Sequence, residues 1–253
     1  ELQATLRGGA RGDFVHRIPV AGPMDLPDAD LPVDPYVLGA WLGDGSSASA
    51  GITFADEEIR DQIVASGVPC RPMSKRGAAT FYWLSDGDQS KEARSKCLAA
   101  RLRRLGVLNN KHIPIEYLRA SQPQRMELLR GLIDTDGHVT KRGQVEVVSV
   151  HESLARDIAA LVRSVGIKAC LNVDRAQIDG RDCGPRYRIL FFPVDQTPLA
   201  YVTRKRDRQR LLGSGSRRRS LARTVTEVVP VGARTVNCIE VEQRDRQGRR
   251  QAV

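Results

Sequence analysis

The sequence contains no run of 18 apolar residues and no signal-peptide pattern, so neither a membrane span nor export is expected. It has only five cysteines, an odd number without a C-x-x-C pair, which argues against a disulfide framework and favours a reduced, cytoplasmic compartment. With four scattered histidines, a zinc site is not expected either. A G-x-x-x-x-G-K-[ST] phosphate loop is also missing, so this stretch is not expected to be an ATPase.

The charge of the chain is unevenly distributed. The 253 residues are 41% apolar, enough for one large domain or two small ones, and the formal net charge is +10. Residues 200–253 hold 14 Lys/Arg against 5 Asp/Glu. Such a basic segment indicates a polyanionic partner, most simply nucleic acid. The alternative is a solvated linker, because R-L-L-G-S-G-S-R-R-R (210–219) also has the composition of a flexible segment.

The most informative stretch is L-L-R-G-L-I-D-T-D-G, residues 128–137. Its leucines and isoleucine recur at helical spacing and predict an apolar helix face. Gly131 interrupts that face at a cost of about 1 kcal/mol relative to alanine, which indicates the close approach of another backbone. Asp134 and Asp136 then place carboxylates at the helix C-terminus, where the macrodipole disfavours negative charge. An amphipathic helix with an Asp-Gly turn is the simpler interpretation of this stretch alone.

A second copy of the pattern, V-L-G-A-W-L-G-D-G, occupies residues 37–45. Aligning the Asp-Gly pairs matches Gly39 with Gly131 and Asp44 with Asp136, which are 92 positions apart (136 − 44). This period is far longer than that of a solenoid repeat. Strand-like and helix-like segments follow each copy in the same order. The sequence therefore predicts two halves built on one plan.

The paired segments resemble the two motifs of the LAGLIDADG homing endonucleases, and their surroundings resemble the endonuclease region of inteins, most of all those in bacterial replicative DNA helicases. The resemblance covers roughly residues 16–245 and implies an α/β (α+β) fold. That fold is a pseudo-two-fold pair of αββαββα repeats with saddle-like antiparallel sheets. We expect an extended leader, two halves, and a basic linker with a remnant strand segment of an intein splicing domain, at residues 1–34, 35–118, 119–212 and 213–253.

In this family the motif helices pack through their glycines, here Gly39 and Gly131, and each helix contributes one acid to a shared site. The resemblance implies that these two acids, Asp44 and Asp136, are catalytic. It also implies a bound Mg²⁺ (or Mn²⁺), for which oxygen ligands are preferred. The expected ligands are the two carboxylates and two backbone carbonyls, from Asp44, Asp136, Gly43 and Thr135.

Two lysines are expected to assist catalysis. In inteins with this endonuclease a lysine precedes a proline at the place of N-N-K-H-I-P, which makes Lys111 the first basic candidate. Repeat symmetry leads to Arg204-Lys205-Arg206, so Lys205 is the second, with Arg204 as the alternative. Asp134 has no counterpart, because Leu42 occupies its place in the first copy, and it is expected to be a structural cap.

Basic residues on strand-like segments are expected to contact double-stranded DNA, since the major groove admits a two-stranded ribbon. For Arg71, Lys75 and Arg76, an ordinary basic hairpin is an equally good explanation. The candidates are Arg71, Lys75, Arg76, Lys141, Arg142, Arg175, Arg186, Arg188 and Arg204. No membrane partner is expected, and the internal repeat predicts a monomer.

One segment resembles a different part of an intein. R-T-V-N-C-I-E-V (234–241) is similar to the splicing-domain strand near the C-terminal junction, with Cys238 in place of the usual aspartate. One intein class uses such a cysteine as an internal nucleophile, whereas a buried structural cysteine is the alternative. Because this sequence lacks a terminal histidine–asparagine pair, we do not expect it to splice.

The resemblance therefore implies a homing endonuclease, a phosphodiester hydrolase that makes Mg²⁺-dependent double-strand breaks at a specific DNA site. Two acids at one helix crossing repel each other unless a cation lies between them, which fits metal-assisted hydrolysis. The alternative is a cleavage-inactive DNA-binding module, or an intein remnant, within a replicative DNA helicase precursor.

Overall fold

The structure is a computed structural model that describes residues 2–85, 90, 97–194, 197–209, 222–233, 235, 243–244 and 250–251. The chain divides into two compact units, one formed by residues 1–18 with 223–253 and the other by residues 19–222. This division differs from the predicted four segments, because the two ends of the chain belong to one unit.

Short antiparallel strand pairs lie at the two ends of the chain. β1 (Arg7–Gly8) pairs with β2 (Asp13–Phe14), β3 (Arg17–Pro19) with β11 (Ala222–Thr224), and β12 (Gln243–Arg244) with β13 (Arg250–Gln251). The predicted leader thus contains strands, and the partner of β3 lies too far along the chain for local sequence to reveal it. The predicted splicing-domain strand with Cys238 lies outside the described residues.

Within the described residues, the first half contains a motif helix, a small sheet and three further helices. Its elements are α1 (Pro35–Asp44), β4 (Gly51–Phe54), α2 (Glu57–Ala65), β5 (Arg71–Arg76), β6 (Ala79–Trp83), α3 (Leu98–Arg104) and α4 (Ile115–Leu118). The strands form an antiparallel sheet in the order β4-β6-β5. The predicted αββαββα repeat has a strand directly after the motif helix. At this position the first half forms a single β-bridge between Gly45 and Ile52.

The second half follows the predicted αββαββα order in full. Its elements are α5 (Gln122–Thr135), β7 (His138–Val139), β8 (Val145–Ser149), α6 (Glu152–Ser164), β9 (Ala169–Ile178), β10 (Arg181–Phe191) and α7 (Thr203–Arg206). The antiparallel sheet has the order β7-β8-β10-β9. The predicted mixed α/β class with antiparallel sheets is confirmed. Among the described residues, no helix combines the length and apolar character that crossing a membrane requires.

Both motif helices have well-formed N-termini. The Asp34 side chain accepts a hydrogen bond from the backbone N–H of Val37 at 3.1 Å, and a proline follows at the first helical position of α1. The helix α5 begins with a reciprocal capping box between Ser121 and Gln124. These local signals fix where each motif helix starts, and therefore where each one ends.

The two motif helices pack in direct backbone contact at their glycines. A Cβ atom on Gly39 would lie closer than 3.0 Å to the carbonyl oxygen of Leu128. A Cβ atom on Gly131 would lie 2.6 Å from the backbone nitrogen of Ala40, and closer still to the carbonyl oxygen of Tyr36. Only glycine permits this approach, as the predicted pairing of Gly39 and Gly131 requires.

The second sheet has one buried face and one exposed face. Along β8 the residues Val145 and Val147 are buried, whereas Glu146 between them is not. Along β10 the same alternation buries Ile189 and Phe191. The helix α6 contributes further buried apolar residues to this core, so the opposite face of the sheet is left towards solvent.

Residues ahead of α1 are attached to the second half by a buried arginine. The guanidinium of Arg125 donates to the carbonyl oxygens of Ala120 at 2.9 Å, Ser164 at 2.6 Å and Met24 at 2.5 Å. In return, the backbone N–H of Met24 donates to the Ser164 carbonyl at 2.9 Å. This part of the predicted leader is therefore packed, which the proline-rich sequence did not indicate.

Candidate active site

The two predicted acids meet at the ends of the motif helices. Asp44 is the last residue of α1 and Asp136 directly follows α5, and their carboxyl groups lie close enough for each to affect the pKa of the other. The helix ends touch at the preceding residues as well, because a Cβ atom on Gly43 would overlap the hydroxyl of Thr135. Helix packing therefore forces two carboxyl groups into one small site.

Burial and mutual repulsion make it costly for both acids to be ionised. Burial raises the pKa of Asp136 to about 6, with the negative charge of Asp44 as the second cause. Burial also raises the pKa of Asp44, against the lowering effects of the neighbouring Asp136, Lys205 and Lys111. A pair of carboxylates this close holds either a shared proton or a cation.

The two predicted lysines lie beside the acids in equivalent positions. The Nζ atom of Lys111 donates to the carbonyl oxygen of Gly43 at 2.9 Å, one residue before Asp44. The Nζ atom of Lys205 donates to the carbonyl of Thr135 at 2.9 Å, one residue before Asp136. Each lysine thus binds the C-terminus of one motif helix, where a positive charge is favoured.

The two lysines are buried to different extents, with Lys205 buried and Lys111 half-buried. Lys205 is only 4% exposed, and its ammonium group also donates to the carbonyls of Ile133 at 2.8 Å and Asp134 at 2.7 Å. Lys111 lies 5.3 Å from the ring centroid of Trp41. Burial lowers the pKa of Lys205 to about 8 and lowers the pKa of Lys111 as well, although the nearby acids oppose the shift of Lys111.

We expect Lys205→Met to destabilise the protein more than Lys111→Met. Methionine retains the apolar stem but leaves three carbonyls at the end of α5, two of them buried, without their donor, a loss of about 2 kcal/mol in the free energy of unfolding. Lys111→Met frees one carbonyl and should cost about 1 kcal/mol or less. Urea unfolding of both variants measures the difference, and equal losses would contradict the assigned contacts.

Asp134 is a structural cap, in agreement with the sequence. Its carboxylate accepts hydrogen bonds from the hydroxyl of Tyr36 at 2.9 Å and from the backbone N–H groups of Tyr201 and Val202, each at 3.1 Å. These two residues lead directly into α7, which carries Lys205. Asp134 therefore fixes the segment that brings the second lysine to the site.

A different acid has this role in the first half. The carboxylate of Asp157, on α6, accepts a hydrogen bond from the backbone N–H of Ile113 at 3.0 Å and so holds the segment that carries Lys111. Sequence analysis missed Asp157, because it lies in the other half and in no motif. Leu42 occupies the position equivalent to Asp134, and it is buried in the core.

The oxygen donors at the site fit a hard divalent cation. Asp44 and Asp136 bring two carboxyl groups together, and carboxylate oxygens suit Mg²⁺ or Mn²⁺. Each predicted carbonyl ligand, Gly43 or Thr135, accepts one lysine hydrogen bond and has a second lone pair. Within the described ranges no group of three or more His, Cys, Asp or Glu side chains comes together, so the remaining ligands would come from water and substrate.

The predicted DNA-contacting residues fall into two groups. The side chains of the first group form no ion pair or hydrogen bond with any residue that the structure describes. These are Arg71, Lys75, Arg76, Lys141 and Arg142. In the second group an acid already binds the guanidinium: Arg175 with Asp182, Arg186 with Asp174, Arg188 with Glu146 and Asp174, and Arg204 with Asp56. The Arg204 pair connects α7 to the start of α2. DNA contact by either group stays a prediction.

Comparison with known proteins supports the predicted resemblance. Residues 123–226 match the family described as a LAGLIDADG-like domain. The replicative DNA helicase DnaB of Mycobacterium intracellulare is 38% identical over 227 residues, which is 90% of this chain and 35% of that protein. The chain thus spans about a third of the length of this curated relative. The resemblance predicted for the second motif and its surroundings is confirmed.

Solved structures of the homing endonuclease I-DmoI are also similar to this chain. A structure of its mesophilic variants aligns with 63% of this chain and 88% of that chain, at 14% identity and a TM-score of 0.40. A structure of I-DmoI in complex with DNA and Mn aligns with 63% of this chain and 89% of that chain, at 14% identity and a TM-score of 0.40.

Proposed function

We propose that this chain is the homing endonuclease part of an intein carried by a replicative DNA helicase, and that it cuts both strands of a specific DNA site with the help of Mg²⁺ or Mn²⁺. The observation that carries the proposal is the pair of carboxyl groups at the ends of the two motif helices, Asp44 and Asp136, each with one lysine beside it. The LAGLIDADG-like match of residues 123–226 and the similarity to a stretch of a helicase support it.

Phosphodiester hydrolysis requires an activated water and stabilisation of negative charge on the leaving oxygen. A divalent cation supplies both functions when it is bound. Asp44 and Asp136 would hold it between their carboxylates, with the carbonyls of Gly43 and Thr135 as further ligands. The two acids cannot both ionise cheaply without a cation, because burial and mutual repulsion raise the pKa of Asp136 to about 6.

The lysines would act on the phosphate or on the attacking water. Lys111 and Lys205 each contact the residue before one acid. Each acid thus has its own lysine ammonium group, and each pair would serve one of the two DNA strands. An ammonium group held rigidly by helix carbonyls can stabilise charge that develops in the transition state without reorganising. Equivalent groups on both sides of the helix pair favour a double-strand break over a single nick.

DNA would be held by the exposed basic residues of the two sheets and of the β7–β8 turn. Contacts to phosphates fix the register of a protein on the duplex, whereas contacts to base edges provide specificity. Both halves of the shared site lie in one chain, so no second subunit is needed, and we propose a monomer. The role of Cys238 as an internal nucleophile stays an expectation from the resemblance, since that residue lies outside the described part of the chain.

The test is a plasmid cleavage assay with an intein-free replicative helicase gene as substrate. We expect a discrete linear product with Mg²⁺ or Mn²⁺ and none with EDTA. A retarded band on a gel without any cleavage, in either metal, would instead favour a DNA-binding module that has lost catalysis. Neither cleavage nor specific binding would indicate an inactive intein remnant.

A further inference from the structure

The exposed face of the second sheet carries an ordered network of arginines and acids. We call this surface the outer face. It begins next to the candidate active site, since His138 follows Asp136 by two residues and pairs with Glu146 on β8. Side chains of the adjacent strands continue it: Glu146, Val148, Cys170, Asn172, Asp174, Arg186, Arg188 and Leu190. Towards the centre of the sheet the alternating residues, such as Val147 and Ile189, are buried in the core.

The arginines on the outer face are held by carboxylates on both neighbouring strands. Arg186 lies directly opposite Asp174 in the register and binds it through two hydrogen bonds, at 2.7 and 3.0 Å. Arg188 binds Glu146 at 2.5 Å on β8 and Asp174 at 3.4 Å on β9. The neighbouring guanidinium groups of Arg186 and Arg188 hold the pKa of Asp174 below its usual range, so this carboxylate stays ionised near neutral pH.

These pairs are fixed in orientation but still accessible. The side chains of Arg186 and Asp174 are 39% and 37% exposed, and Arg188 is 33% exposed. A guanidinium whose orientation is set by a carboxylate loses less conformational freedom when it binds a second partner. It also attracts a phosphate less, because the carboxylate repels the phosphate charge. The network therefore suits a neutral partner with a directional pattern of hydrogen bonds.

The edge of a G·C base pair in the major groove has such a pattern. Guanine offers two acceptors, N7 and O6, and cytosine offers a donor, the N4 amino group. An arginine beside a carboxylate presents two donors next to an acceptor, which is the complementary order. Arg186 with Asp174, and Arg188 with Glu146, each present this arrangement.

The first sheet offers a clear contrast. Its edge strand β5 exposes Arg71, Lys75 and Arg76, and within the described part of the chain no acid pairs with them. Unpaired cations are suited to phosphates, whose contacts supply affinity and salt dependence but no sequence information. The two sheets thus carry different chemistry on their exposed faces.

We infer that Asp174 and Glu146 are specificity-determining residues: they orient Arg186 and Arg188 on the outer face so that each arginine–acid pair reads one G·C base pair in the DNA half-site contacted by the second half. This inference rests on the proposed function as far as DNA binding is concerned. Alternate residues of a strand are about 6.6 Å apart and stacked base pairs about 3.4 Å. The two G·C positions should therefore be about two base pairs apart.

The test is a selection of binding sequences from a library of random DNA duplexes by the full chain in EDTA, followed by sequencing. For the unchanged protein we expect one half-site with two G·C positions about two base pairs apart. Asp174→Asn should relax the preference at both positions, by about ten-fold each, because Asp174 contacts both arginines. Glu146→Gln should relax only the position read by Arg188.

Two control variants separate charge from orientation. Asp61→Asn makes the same change in charge in an exposed Arg60–Asp61 pair on α2, and it should leave the selected sequence unchanged. Lys75→Met should weaken binding to all duplexes about equally and reduce the salt dependence by about one counterion. Urea unfolding of each variant verifies that it is folded.

The outcomes distinguish the two proposals. Failure of the unchanged chain to enrich any sequence would overturn the DNA binding on which the proposed function depends. Two results would overturn this inference alone. The unchanged protein could enrich a site that lacks the two G·C positions, or Asp174→Asn could select the same sequence as the unchanged protein. In that case the network would be a cross-strand ion pair that only stabilises the sheet.

Discussion

Gly131→Ala is expected to lower the free energy of unfolding by about 3 kcal/mol. The added Cβ would lie 2.6 Å from the backbone nitrogen of Ala40 and closer still to the carbonyl oxygen of Tyr36. Both neighbours are backbone atoms of α1, so no side-chain rotation can relieve the overlap. The helices would have to separate, which also removes the contact between the two acids.

Guanidinium chloride unfolding followed by circular dichroism measures this effect. Gly39→Ala should behave in the same way, because its Cβ would overlap the Leu128 carbonyl from the opposite side. Gly22→Ala is the matched control, since nothing lies within 4 Å of its added Cβ, and it should change stability by no more than about 0.5 kcal/mol. A Gly131→Ala variant as stable as Gly22→Ala would refute the close helix packing.

Asp136→Asn and Asp44→Asn are each expected to reduce double-strand cleavage by at least about 10³-fold while DNA affinity stays within a few-fold. Asparagine has nearly the same shape as aspartate, so the helix pair should remain intact. It removes one of the two negative charges that would hold the cation, and the proposed reaction needs that cation on both strands. The loss should therefore appear in the chemical step and leave binding nearly unchanged.

Single-turnover cleavage of a plasmid that contains the site, together with gel retardation in EDTA, measures the two effects separately. Asp61→Asn serves as the control, because it removes an exposed carboxylate on α2 whose partner is Arg60. Full cleavage by both active-site variants would refute the proposed catalytic pair. Loss of binding together with loss of cleavage would point to a structural role of the acids.

A consequence of this geometry is that stability and catalysis share the same contacts. The glycines bring the helix ends together, and the helix ends bring the acids together. The lysines that flank the acids also neutralise the helix C-termini, with Lys205 bound to three carbonyls of α5. Substitutions at the lysines should therefore be interpreted only after their effect on unfolding has been measured.

The sequence by itself determined the two motif helices and the acids that they carry. Their caps, their apolar spacing and their glycines are all local signals. A glycine on the apolar face of a helix indicates that another backbone packs closely there. Repeat symmetry also led to the segment of Lys205, although Lys205 follows Asp136 by 69 positions and Lys111 follows Asp44 by 67. The lysine position could not be exact, because the connecting loops differ in length.

Only the tertiary structure decided which partners these residues have. Asp157 holds the Lys111 segment from the opposite half, and Arg125 attaches the residues before α1 to the second half. The basic residues of the two sheets are equivalent in the sequence, yet cross-strand register places Asp174 and Glu146 against the arginines of the second sheet only. Such partners are distant along the chain, and hydrogen bonds and ion pairs have no periodicity that a single sequence reveals.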